Sequence, residues 1–274
     1  MLAEGYEKLS VLRFEEAETV FQQIKKSFAD PDKDVENAIL FTRHWKDVFS
    51  LLDDIPDSEK IFYLFDRINR FEFSQEWGNQ KLRSSLINYL IGLMKEHGRF
   101  YIDHETALSD LYLQIGKQQL AERSLTAHLN SDPSDTPARF RLAQLQWKQK
   151  LKGAALQNYT LGLLLNPDTA PINYLECDKT RELIQKHGPA MTPAYGWIAG
   201  ILPLKNIPYE QSAVSESHSS ALECYRLIRV AEKASKKQDM EATVNHRKAL
   251  KTGWPELYDE YYALISKRIQ PSFY

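Results

Sequence analysis

Little in this 274-residue chain marks a special environment or a named chemistry. It has two cysteines, Cys177 and Cys224, too few for a disulfide framework, and a reducing compartment is the simpler reading. Glycine (11) and proline (12) are scarce, and no run of alternating β-branched residues is bounded by turns, so strands are not expected. No apolar run approaches the roughly 20 residues that span a bilayer. The acidic, amphipathic N-terminal stretch with Glu4, Glu7, Glu15 and Glu16 is unlike a signal peptide. The expected location is cytoplasmic. There is no glycine-rich phosphate loop and no paired-cysteine motif. The histidines (44, 97, 104, 128, 187, 218 and 246) are scattered, so no metal or cofactor is expected.

What is present is helical periodicity and a repeat. Between Ile102 and Pro167 one pattern occurs twice, 34 residues apart: Leu108 returns as Leu142, Ala121 as Ala155, and Asp132-Pro133 as Asn166-Pro167. In the first copy Leu108, Tyr112 and Ile115 share a helical face. Gly116 breaks that helix, and Gln118 to Leu129 resumes it with a small Ala121 where two axes approach closely. Thr136-Pro137 then starts the next helix. A period of this length signals a helix–turn–helix array.

These residues resemble the tetratricopeptide repeat. The first copy supplies Leu108, Ser109, Tyr112, Ala121, Leu125, His128 and Pro133 at the motif positions, and the second Leu142, Ala143, Gln146, Ala155, Tyr159, Gly162 and Pro167. His128 and Gln146 depart from the pattern. The resemblance implies an all-α, right-handed superhelical solenoid of antiparallel helix hairpins, interrupted by an irregular insertion. The expected organisation is an N-terminal array over 1–170, with the clearest repeats at 102–135 and 136–169. A degenerate repeat plus a Gly/Pro/Ser-rich insertion follows over 171–217, then a hairpin and capping helix over 218–274. Within the array, 1–28 reads as a hairpin with Gly5, Ala17 and Phe21 at motif positions. Residues 34–54 read as a second hairpin turning at His44–Asp47. Helices are expected over 59–70, with a face of Ile61, Phe62, Phe65 and Ile68, and over 76–97. In the C-terminal hairpin Ala242 and Ala249 take the small positions, and Leu257 to Ile269 forms the last helix.

The family implication for function is a groove lined by first helices that holds a peptide or protein segment. Carried over residue by residue, it is lined by Thr106, Asp110, Leu113 and Gln114 from the first copy, and by Phe140, Gln144, Trp147 and Lys148 from the second. Phe140 and Trp147 lie two turns apart on one face, either as aromatic anchors for that segment or packed against the irregular insertion or the preceding long helix. The basic pattern that grips a chaperone's C-terminal carboxylate is absent, with Thr106 and Asp110, then Phe140 and Gln144, at its first two positions. The leading expectation is therefore a non-enzymatic scaffold with a protein or peptide partner. One alternative is an enzyme or small-ligand site in 171–217, where Glu176, Cys177 and His187 are the chemically able residues.

Another is a self-associating adaptor. Residues 1–80 carry ten basic and seventeen acidic side chains, whereas 218–251 carry eight basic and four acidic, and opposite charge can steer association. The basic cluster lacks interleaved aromatics and a readout motif, so nucleic acid is not expected as a partner. Nor is a membrane. Homo-oligomers remain possible without being indicated.

Overall fold

The computed structural model describes residues 2–27, 33–73, 77–207 and 215–269. It is all-α. Thirteen helices are described: α1 (Leu2–Ser10), α2 (Phe14–Ser27), α3 (Lys33–Asp54), α4 (Asp57–Arg70), α5 (Trp77–Glu96), α6 (Leu108–Gln114), α7 (Gln118–Ser131), α8 (Thr136–Lys148), α9 (Lys152–Leu165), α10 (Asp178–Ile198), α11 (Glu216–Lys236), α12 (Met240–Gly253) and α13 (Pro255–Ile269). A single 3-10 turn, Ile172–Tyr174, precedes α10. The chain divides into two compact units, Met1–Ser124 and Leu125–Tyr274. That division falls inside the first clear repeat.

Four helix pairs share one connection. In α1–α2, α6–α7, α8–α9 and α11–α12, a three-residue turn has its middle residue in the left-handed region: Leu12 (φ 62°), Gly116 (71°), Lys150 (66°) and Gln238 (61°). The next residue closes a wide turn back onto the first helix, with Arg13, Lys117, Leu151 and Asp239 N–H donating to Lys8, Tyr112, Gln146 and Ala234 C=O at 2.8–3.0 Å. This satisfies carbonyls that a helix C-terminus leaves unpaired. Small residues recur at fixed offsets from the turn. Seven before it stand Gly5, Ser109, Ala143 and Ala231, and five after it Ala17, Ala121, Ala155 and Thr243, all buried. Side chains this short let two helix axes approach. In the last pair the small position is Thr243. Ala242 is half-buried and Ala249 exposed, so the expected C-terminal register is corrected by one residue.

In the first unit, α1 packs on α2 and on α5, and α2 on α3. The expected hairpin over 34–54 is instead one 22-residue helix, α3. Nothing between Asp34 and Asp54 is Gly or Pro, so no residue there favours a reversal. Trp45, expected in a turn, is fully buried and packs against Phe71 and Phe73 at centroid distances of 5.2 and 5.9 Å. The buried face of α4 is Ile61, Leu64 and Ile68, while Phe62 is exposed. The Asp30-Pro31-Asp32 break lies outside the described residues.

In the second unit, α8–α9 and α11–α12 are the two full hairpins, and α10 packs on α9, α11 and α13. The helix expected from Pro171 begins only at Asp178, and it runs to Ile198 with a break at Gly188 (φ 75°). The irregular insertion expected over 188–217 is thus helical from Pro189 to Ile198. Gly188 takes the backbone conformation that ends one segment, and Pro189 starts the next, where its missing N–H costs nothing. Ala194, Tyr195 and Ile198 then join Leu222, Tyr225, Ile228, Leu250 and Tyr261 in one core. Residues 199–207 are non-helical, and 208–214 lie outside the described residues. No helix among the described residues is long and apolar enough to cross a membrane.

Candidate binding surface

In the first unit the expected ligand-facing residues have mixed fates. Tyr101 and Ala107 form an isolated antiparallel bridge, which delays the helix, so α6 has only seven residues. Thr106 therefore lies in the preceding loop, where its N–H donates to Asp103 Oδ1 at 2.6 Å. The Asp110 carboxylate accepts from Ala107 N–H at 2.8 Å. It caps α6 and is engaged with the chain's own backbone. Leu113 is 42% exposed. Gln114 is exposed too, and its side-chain oxygen accepts from Arg83 Nη2 at 3.0 Å.

In the second unit the face of α8 is covered by the chain itself. Phe140 is fully buried and cannot serve as an exposed anchor. Its ring fills the space beside Gly162, where a Cβ would sit 2.7 Å from the ring, and it packs on Tyr159 at 5.3 Å. The segment 171–177 crosses this region as the 3-10 turn Ile172–Tyr174 followed by extended backbone at Leu175 (φ −84°, ψ 112°) and Cys177 (φ −90°, ψ 105°). Leu175 inserts into the cluster of Phe140, Ala143, Ala155, Tyr159, Leu163 and Leu202. The Tyr159 hydroxyl donates to Tyr174 C=O at 2.7 Å and accepts from Glu176 N–H at 3.2 Å. One side chain thereby satisfies two backbone groups of this strap, and burial pushes its phenol pKa upward.

The remaining contacts run along the same strap. Gln144 Nε2 donates to Glu176 Oε1 at 2.8 Å, and Lys148 Nζ lies 3.7 Å from that oxygen. The buried Arg141 guanidinium stacks over Tyr174 at 4.8 Å. Arg181 Nη2 donates to Leu175 C=O. Trp147 is half-buried against the same core, with Lys152 Nζ 5.3 Å from its ring centroid. Of the four residues expected on this repeat, Gln144 and Lys148 hold Glu176, Trp147 borders the core and Phe140 lies within it. Sequence reasoning missed Tyr159 as a strap-holding group. Its repeat position identifies an aromatic, but the hydroxyl's partners come from a segment 15 residues away.

The three residues with catalytic chemistry do not converge. Glu176 is held by Gln144 and Lys148. Cys177 is a buried free thiol at the start of α10. The His187 ring stacks on Tyr195 at 3.5 Å, and burial, then Lys186, lower its pKa. The other thiol, Cys224, is pushed up to about 12 by burial, which keeps it a thiol rather than a nucleophilic thiolate.

The charged ends differ from each other. Across α1, α2 and α3, Lys8–Glu16 (2.7 Å), Lys25–Glu36 (2.9 Å) and Arg43–Glu18 (2.6 Å) are paired, and an open groove of about 630 Å³ is lined by Glu15, Glu18, Lys26, Arg43 and Lys46 among others. On α11 and α12, Glu232 is buried and accepts from Tyr261 Oη at 2.8 Å, while Asp239 caps α12 through Ala242 N–H at 3.0 Å. Two of that region's four acids are thus turned to structural use.

No family model, curated protein or solved structure matches this chain.

Proposed function

We propose that this protein is a tetratricopeptide-like helical-repeat scaffold whose α8 region is specialised for holding a polypeptide segment. The observation that carries this reading is the 171–177 strap. Side chains of α8 and α9 grip it as a docked peptide is gripped: an apolar side chain in a pocket, backbone groups hydrogen-bonded by Tyr159, and a carboxylate met by Gln144 and Lys148. The four-fold recurrence of one turn with small residues at fixed offsets supports the repeat family. The neighbour-on-neighbour packing of α1–α2–α3 and α8–α9 supports a solenoid, in which each repeat contacts its neighbours. The α1–α5 and α10–α13 contacts add non-neighbour closure.

A protein partner engages the surface that the strap leaves open, through Trp147 and Lys148 in the second unit or Leu113 and Gln114 in the first. The pairing of α2 acids with nearby lysines leaves less free charge for the self-associating reading. The test is affinity capture from native lysate with wild type, Leu113→Ala and Lys148→Glu, after circular dichroism shows equal helicity. Both side chains are exposed, so folding is preserved. A protein captured by wild type and lost with either variant supports the reading. Identical capture by all three moves docking off these faces, and capture of nothing by any form removes the scaffold reading in favour of a small-ligand role.

A further inference from the structure

We propose that His128, Asp132 and Asp135, at the α7–α8 connection, form a binding site for a divalent transition-metal ion, with zinc the best match. The three residues each offer one ligand atom, and these atoms lie within 4.8 Å of one another. Imidazole and carboxylate oxygen are the donor types that zinc accepts, at roughly 2.0–2.2 Å in tetrahedral sites. Ligand atoms around such an ion stand a little over 3 Å apart, so small side-chain rotations bring this trio to coordinating distance.

The geometry is pre-set from behind. Asp132 Oδ1 accepts from Ser134 N–H at 3.1 Å and from Ser134 Oγ at 2.6 Å. Asp135 Oδ1 accepts from Ala138 N–H at 2.8 Å as the N-cap of α8. Each carboxylate therefore has one oxygen anchored to the chain and presents the other, which is the orienting role that outer partners play around metal ligands.

His128 Nε2 and Asp135 Oδ2 already meet at 2.7 Å. That contact requires a proton between them. When the ion enters, the proton leaves Nε2 for solvent or for Nδ1, the Nε2 lone pair binds the ion, and Asp135 Oδ2 binds in place of accepting the hydrogen bond. Asp132 is exposed while His128 and Asp135 are half-buried, so the ion reaches the site from solvent and retains water in its remaining position. A counter-influence stands beside it. Arg139 donates to Pro133 C=O at 3.0 and 2.6 Å and lies within electrostatic reach of both aspartates. Its positive charge weakens the site, which places the expected affinity in the micromolar range rather than among structural zinc centres.

The repeat explains why the sequence hides this trio. His128 stands where the family pattern has a small residue, and Asp132 and Asp135 belong to the ordinary helix stop and cap. No contiguous metal motif is formed. Only the turn from α7 into α8 brings them together.

Isothermal titration of the full chain with ZnCl₂ tests the proposal, alongside visible absorption with Co²⁺, whose bands intensify when coordination falls below six. Wild type is expected to bind one ion, and His128→Ala and Asp132→Asn each to weaken binding at least tenfold with unchanged circular dichroism. Arg139→Gln is expected to tighten it severalfold. Asp135 is left intact because it caps α8. Absence of uptake by the folded wild type overturns the proposal, as does equal binding by His128→Ala.

Discussion

The hairpins α8–α9 and α11–α12 have the same turn, the same small positions and different interiors. Ten residues before the left-handed turn residue stands Phe140 in one and Ile228 in the other, both fully buried. Twelve after it stands Gly162 in the first and a fully buried Leu250 in the second. One hairpin pairs a large side chain with none, and the other pairs two of middling size. Nine after the turn, Tyr159 faces an apolar cluster and the strap. Its counterpart Arg247 lies over Tyr261 of α13 at 5.7 Å and donates to its hydroxyl at 3.3 Å, while that hydroxyl donates to buried Glu232. Main-chain geometry is thus common to the pairs, and what covers each pair selects its core. A strap with exposed carbonyls calls for a hydroxyl. A capping helix presenting a phenol permits a guanidinium and a carboxylate.

The largest expected effect comes from emptying the two cores. Phe140→Ala should cost about 3–5 kcal/mol and Ile228→Ala about 2–5 kcal/mol, measured by urea unfolding. The comparison is sharpened by the exchange Phe140→Ile with Gly162→Leu. If the pairs are volume-equivalent, the double variant recovers most of the loss that Gly162→Leu alone inflicts by colliding with the Phe140 ring. A double variant as unstable as the single one breaks the equivalence.

Next comes the strap. Tyr159→Phe removes the donor to Tyr174 C=O and the acceptor for Glu176 N–H, at a cost of about 1–3 kcal/mol. Amide hydrogen exchange should rise at Glu176 and stay unchanged in α12. A uniform rise across the unit would show that the hydroxyl acts on global stability rather than on the strap.

The polar interior makes an alkaline prediction. Tyr261 is pushed up to about 12, first by burial and then with Glu232 beside it, and Tyr225 also to about 12 by burial. A raised phenol stays protonated in the folded chain while the unfolded chain, near 10, has already lost its proton. The stabilisation is therefore complete below pH 10 and declines as pH rises from about 10 to about 12. Thermal melts at stepped pH should show this fall, and Tyr261→Phe should make it shallower.

The smallest effect concerns what the hairpins share. Lys150 and Gln238 hold the left-handed conformation that glycine holds in Gly116, and a non-glycine residue there is disfavoured by roughly 1 kcal/mol. Lys150→Gly and Gln238→Gly should each gain about 0.5–1 kcal/mol, less what the unfolded chain gains in freedom. Equal gains would show that the two turns are energetically alike, and a gain in one alone would separate them.

Particular residues show how far the sequence could be read. Gly5, Ala121 and Ala155 were legible because close helix approach tolerates only small side chains, and that demand leaves a mark at fixed spacing. Thr243 was not, because two nearby alanines at the family spacing drew the register one residue away. Trp45 looked like part of a turn because helical spacing around it was consistent with two short helices, yet without a breaking residue the chain simply continues. Of the expected ligand-facing residues, Leu113, Gln114 and Lys148 are exposed, as the groove positions implied by the family resemblance would be. For Phe140 two readings stood open, anchor or packing against the following segment, and Leu175 and Leu202 cover it.

The sequence by itself determined the all-helical character and the 34-residue spacing between the turns at Gly116 and Lys150, since periodicity and caps are local properties. Tertiary structure alone decided that 171–177 lies over α8, that Tyr159 binds its backbone, and that His128 meets Asp135 across a turn. Those outcomes depend on which side chains can satisfy polar groups and fill volume at distances the chain spans only after it folds, and spacing along the sequence carries no record of that competition.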